Sequence, residues 1–135
     1  MKAIQVLGFS GSLRRDSYNT ALLRLAAEVV LANVTLETFD LALIPIFNED
    51  VRLAGVPEPV KLFKERIAAA DALLIATPEY NYSIPGVLKN AIDWASRPPE
   101  TSPLDGKLLD DPIRDKIVEL LKALAEWTLR LRVNA

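Results

Sequence analysis

The residues best suited to chemistry lie in two polar loops. The first, GFSGSLRRDSYNTALL from Gly8 to Leu23, sets Ser10, Ser12, Ser17, Asn19 and Thr20 around Arg14 and Arg15. Hydroxyls and an amide are short-range donors, and an arginine adds a charge-assisted one. A helix opening here presents free backbone N–H groups at its positive end. Such a set suits a phosphate monoester without metal, since each hydrogen bond to a charged group contributes about 1.5–3 kcal/mol. A plain capped helix behind a solvated serine loop carries the same residue types, because Ser and Asn are routine caps. The pattern GxxxxGK[ST] is absent, and Gly8 and Gly11 do not make GxGxxG. Without that glycine fingerprint, Asp40 is a weak match to a ribose-binding acid.

The second loop opens PEYNYSIPGVLKNAIDWASRP, from Pro78 to Pro98. Pro78 stiffens the exit from an apolar run, and Pro85 pre-sets the start of a helix. Between them the N–H groups of Glu79 to Ser83 are expected to face the same crevice as the first loop. Tyr80 and Tyr82 offer flat apolar faces, and Asn81 both donates and accepts. The combination suits the edge and face of a planar heteroaromatic ring. A structural loop whose tyrosines pack on a neighbour has the same composition.

What the chain lacks narrows the chemistry. It has no histidine and no cysteine. That removes Ser–His–Asp catalysis, His-based and thiolate zinc sites, thiol nucleophiles and disulfides. An enzyme built on it needs a cofactor that carries the chemistry, or carboxylates, lysine or tyrosine. One loop for a phosphate, one for an aromatic ring and no protein acid–base fit FMN, whose ring performs hydride chemistry itself.

Both loops have to be held by regular elements. Ala3 to Leu7 is a short, mostly apolar run closed by Gly8 and reads as a buried strand. Leu22, Leu25, Ala26, Val29 and Val30 fall at helical spacing. Thr35 to Phe39 alternates as a second strand. Pro57 and Pro59 introduce a helix with Val60, Phe63 and Ile67 on one face, ending near Asp71. Ala72 to Thr77 is a third strand, apolar on both faces like a central parallel strand. Val87, Leu88, Ala91, Ile92 and Ala95 form the stripe of the next helix, with Trp94 and Trp127 expected in core or interface positions. Pro98 to Asp110 is irregular, and Asp111-Pro112 caps a final helix carrying Ile113, Ile117, Leu120, Leu124, Trp127 and Leu131. Strands alternating with helices predict an α/β, doubly wound parallel sheet, with ligands outside the carboxyl ends of its strands.

The 135 residues predict one domain, half of them apolar and a quarter charged. The net charge of −2 argues against general nucleic-acid or membrane-surface binding. No run reaches transmembrane length and no secretory h-region opens the chain, so a cytoplasmic location is expected.

The segments FSGSLRRDSYNTALL, IPIFNED and PEYNYSIPGVLKNAIDWASRPP together resemble the NADPH-dependent FMN reductase family, which includes chromate and quinone reductases. The resemblance runs from Met1 to Lys107 and implies a flavodoxin-like sheet, read here as three strands in the order 2-1-3. It implies that Ser10, Ser12, Arg14, Ser17 and Asn19 hold the FMN phosphate. Pro78, Glu79, Tyr80 and Asn81 would line the isoalloxazine, chiefly through main-chain contacts. It further implies homodimers or homotetramers, with the AIDWASRP helix near a subunit interface and IPIFNED near the cofactor edge or a partner. The implied reaction passes hydride from NAD(P)H through FMN to quinone, azo, flavin or metal-oxyanion acceptors. No metal and no catalytic side chain is assigned.

Beyond Lys107 the pattern departs from the family. Residues 108–135 resemble its terminal helix, and strands four and five are not found. The third strand would then be an apolar edge, so either further strands exist in the molecule or another chain covers that edge. A flavin-binding electron carrier without nicotinamide turnover, and a non-catalytic oligomerising remnant, are the competing classes.

Overall fold

A computed structural model describes residues 3–98. The expected irregular segment after Pro98, the terminal helix over 108–135 and Trp127 lie outside the described residues. Within them the order is β1 (Ile4–Ser10), α1 (Tyr18–Glu28), β2 (Val34–Phe39), a 3-10 turn (Leu41–Leu43), α2 (Glu49–Ala54), α3 (Glu58–Ala69), β3 (Ala72–Ala76) and α4 (Gly86–Ala95).

The strands form one parallel sheet in the order β2-β1-β3, as expected for a flavodoxin-like fold. β1 pairs from Ile4↔Val34 to Phe9↔Phe39 on one side and from Val6↔Ala72 to Ser10↔Ala76 on the other. It runs past Gly8 to Ser10, because Gly8 and Phe9 have partners on both sides. At the sheet's start, Asp71 accepts the Gln5 N–H through its carboxylate at 2.9 Å and returns its own N–H to the Gln5 carbonyl at 2.7 Å.

Alternation along β1 builds two cores. Leu7 and Phe9 join Val60, Phe63 and Ile67 of α3 with Leu88, Ala91, Trp94 and Ala95 of α4. Phe63 is the keystone, edge-on to Phe9 at 5.4 Å and tilted against Phe39 at 4.9 Å. Each such side chain contributes roughly 1.5–3 kcal/mol by leaving water. On the other face Leu23 and Ala26 of α1 pack on Leu74, Ala76, Val6 and Leu36. The buried face of α1 is therefore centred on Leu23 and Ala26, and Val29 at its end is exposed. β3 is the outer strand of the described sheet, and Ile75 stays 42% exposed, unlike a fully central strand.

The connection from β2 to α3 holds two elements that periodicity misses, the 3-10 turn and α2. Asn48 caps α2 by accepting the Asp50 N–H at 2.9 Å, and Gly55, at φ 145°, ends it. The strap between them is hung on α4. Asn90 accepts the Phe47 N–H at 2.7 Å and donates to the Pro45 carbonyl at 2.9 Å. Trp94 Nε1 donates to the same carbonyl at 2.8 Å, and its ring meets Phe47 edge-on. Residues 90 and 94 are one helical turn apart, so both reach one point on the strap.

Candidate functional site

The two polar loops leave the carboxyl ends of neighbouring strands, β1 and β3, whose last paired residues are Ser10 and Ala76. The chain turns from β1 toward β2 on one side, then crosses back to β3 on the other. That reversal sets both loops at the strand ends, the position where open α/β sheets bind ligands.

Loop one is tied down by its own serines. Ser10 Oγ accepts the Ser12 N–H at 3.1 Å and donates to the Ser12 carbonyl at 3.2 Å. Ser12 Oγ accepts the Arg14 N–H, and Ser17 Oγ accepts the Thr20 N–H as the cap of α1, each at 3.3 Å. Acting as acceptors, Ser12 and Ser17 keep hydroxyl protons to donate, whereas Ser10 has committed its own to shaping the turn. The first turn of α1 carries no acidic residue, and the N–H groups of Tyr18 and Asn19 have no partner among the described residues. The positive helix end is thus left open to an anion. Asn19 is half-buried in that turn, while Arg14 is exposed with its guanidinium 5.5 Å from the centre of the Tyr18 ring.

Loop two is a tight turn. Tyr80 and Ser83 exchange both backbone hydrogen bonds, at 2.9 and 3.1 Å. Asn81 and Tyr82 between them have φ of 54° and 60°, the left-handed pair of a type I′ turn. Two of the five N–H groups expected to face the crevice, those of Tyr80 and Ser83, are therefore spent inside the turn. Tyr80 is 55% exposed and Tyr82 99%, so neither ring is buried against a neighbour among the described residues. Pro78 is half-buried and Glu79 exposed. Trp94, by contrast, is a core residue at 1% exposure.

Sequence reasoning passed over one pair. Gly11 is buried, donates its N–H to the Ala76 carbonyl at 2.9 Å, and lies against Thr77. The signal available was a lone glycine among serines directly after a strand, where close backbone approach is a common reason for glycine. The groups whose titration is displaced lie elsewhere. Arg52 holds the Glu49 carboxyl below its ordinary value, and burial pushes the Lys64 ammonium down. Among the described residues there is no cluster of acids suited to a metal.

A helix start with open N–H groups and an exposed tyrosine turn thus leave adjacent strand ends at the switch point of a flavodoxin-like 2-1-3 sheet. The NADPH-dependent FMN reductase family matches residues 4–110, and the chain belongs to that family. An NAD(P)H-dependent FMN reductase of Pseudomonas aeruginosa is 60% identical over 104 residues, covering 77% of this chain and 56% of that protein. An NAD(P)H:quinone oxidoreductase of Solanum tuberosum is 49% identical over 100 residues, 71% of this chain and 52% of its own length. Among solved structures, the flavoenzyme NAD(P)H:(acceptor) oxidoreductase of Paracoccus denitrificans superposes with a TM-score of 0.71 at 38% identity, covering 77% of this chain and 57% of that one. The chain thus spans about half the length of the relatives it matches.

Proposed function

We propose that the chain supplies the FMN-binding crevice of an NAD(P)H oxidoreductase serving small acceptors of the quinone, azo, flavin or metal-oxyanion kind. The observation that carries this reading is the pairing of a helix start that has no acid in its first turn and open N–H groups among the described residues with an exposed tyrosine turn at adjacent strand ends. The residues fit the group. Ser12 and Ser17 each keep a hydroxyl proton, and Tyr18 and Asn19 supply backbone donors. Arg14 and the Asn19 amide complete a phosphate set, and Ser10 shapes it by holding Ser12. Pro78, Glu79, Tyr80 and Asn81 form the ring side, where the N–H groups of Glu79 and Asn81 remain for the polar edge of an isoalloxazine.

When bound, FMN supplies hydride transfer between a nicotinamide and the acceptor. The chain's own residues position the cofactor and neutralise its phosphate, and none is assigned a proton transfer. NAD(P)H is the co-substrate in this reading, and a cytoplasmic location, where that reductant is supplied, belongs to it. So does assembly into a homodimer or homotetramer, favoured by exposed Leu43, Ile46 and Leu53 and by the edge that β3 presents among the described residues.

The test is a visible spectrum of the purified chain, mixed with FMN and then desalted. Retained flavin that bleaches under anaerobic NADPH or NADH and recovers with benzoquinone is the expected result. Retention without bleaching would reduce the chain to a flavin-binding electron carrier. A folded chain that retains no flavin would overturn the reading in favour of an oligomerising remnant. Light scattering decides the assembly, and a stable monomer would remove it.

A further inference from the structure

Gly11 is not a glycine for the sake of its backbone angles, because its φ lies outside the left-handed region. It is a glycine for space. A Cβ built there would stand 2.7 Å from Thr77 Cβ and 3.3 Å from Thr77 Cα, and closer still to Thr77 Oγ1. Rotating the threonine removes only the Oγ1 collision, since Cβ and Cα do not move with χ1. The rotation also breaks the bond in which Thr77 Oγ1 donates to the Pro78 carbonyl at 2.9 Å. On the backbone, the Gly11 N–H to Ala76 carbonyl bond is the last rung of the β1–β3 ladder, closing the Ser10↔Ala76 pair. Two chain segments thus meet in direct contact at the root of both loops. The next residues outward are Ser12, where the phosphate side begins, and Pro78, where the ring side begins.

We propose that Gly11 and Thr77 are positioning residues for the flavin, a zero-clearance latch that sets the distance between the phosphate loop and the ring loop. The proposal rests on the FMN reading above and adds a residue pair to it. A ligand that engages both loops at once depends on their separation, whereas a ligand that engages one loop does not. FMN is of the first kind. Riboflavin, which has the ring without the phosphate, is of the second. Widening the root by the several tenths of an ångström that a methyl group demands should therefore weaken FMN selectively.

The experiment uses Gly11→Ala, Thr77→Gly and the double variant that exchanges the two sizes. Flavin fluorescence titrations give affinities for FMN and riboflavin, and far-UV circular dichroism checks folding. Gly11→Ala is expected to weaken FMN by about tenfold or more, the loss of one hydrogen bond to the charged phosphate. Riboflavin binding should change little, so the preference for FMN collapses. The double variant should recover most of it. Equal losses for both flavins, unchanged FMN affinity in Gly11→Ala, or no recovery in the double variant would overturn the latch. Urea unfolding of the four chains decides the contact without flavin. The latch requires that Thr77→Gly relieve the destabilisation caused by Gly11→Ala, and additive effects would overturn it. A wild-type chain that binds neither flavin would overturn the FMN reading, and this cycle would still judge the latch.

Discussion

Ser17 caps α1 by accepting the Thr20 N–H, and its hydroxyl proton is left over for a ligand. The two roles separate by substitution. Ser17→Ala loses the cap and should cost about 1 kcal/mol of stability in urea unfolding. Ser17→Asp keeps a good cap but sets a carboxylate where a phosphate is expected. Its stability should stay near wild type while FMN affinity falls at least about tenfold and riboflavin affinity holds, since like charges in one site repel. Equal FMN binding by Ser17→Asp and wild type would remove the phosphate from this end of the crevice. Tyr82 poses the opposite case. Its φ of 60° is costly for a side chain with a Cβ, and its 99% exposure means that packing returns nothing. Tyr82→Gly should raise stability by about 1 kcal/mol, a gain readable as a higher urea midpoint. A lower midpoint would show that the ring has a partner that stabilises it.

Elements were legible where burial imposed a period. The α3 face of Val60, Phe63 and Ile67 is buried as its spacing predicts, and the three strands stand where apolar runs end in turn residues. The strap and α2 were not legible, because exposed Ile46 in the one and exposed Leu53 in the other break any regular pattern. Local chemistry offered a better clue there, with Asn48 before two acids and Gly55 after. In the candidate site, residue types pointed to the two loops that leave the ends of β1 and β3. They did not show that Ser10 spends its proton on Ser12, or that Gly11 meets a residue far along the chain, since both facts depend on tertiary geometry. Two predictions belong at this scale. Phe63→Ala should cost about 3–5 kcal/mol, because it empties the meeting point of β1, β2 and α3. Glu49, held below its ordinary value of 4.5 by Arg52, favours folding above that value and loses this contribution as pH falls through its lower folded value. Glu49→Gln should therefore flatten the acid side of a plot of urea midpoint against pH, and an unchanged slope would discount the pair.

For the molecule as a whole, three parallel strands and both polar loops lie within the described residues, and the family match extends to residue 110. A ligand that bridges the loop roots of β1 and β3 ties together strands whose pairing is central to the fold. FMN at a hundred times its dissociation constant should add about 2.7 kcal/mol to unfolding, seen as a concentration-dependent rise in melting temperature. No shift at saturating FMN would contradict binding to the native crevice.

The single carbonyl of Pro45 that serves both Asn90 and Trp94 has an optical consequence. An indole that is buried, hydrogen-bonded through Nε1 and edge-on to Phe47 senses whether the strap is seated. With Trp127 replaced by phenylalanine, Trp94 becomes the chain's sole indole fluorophore. Its emission would then move to the red whenever the strap lifts from α4, while the sheet beneath stays intact.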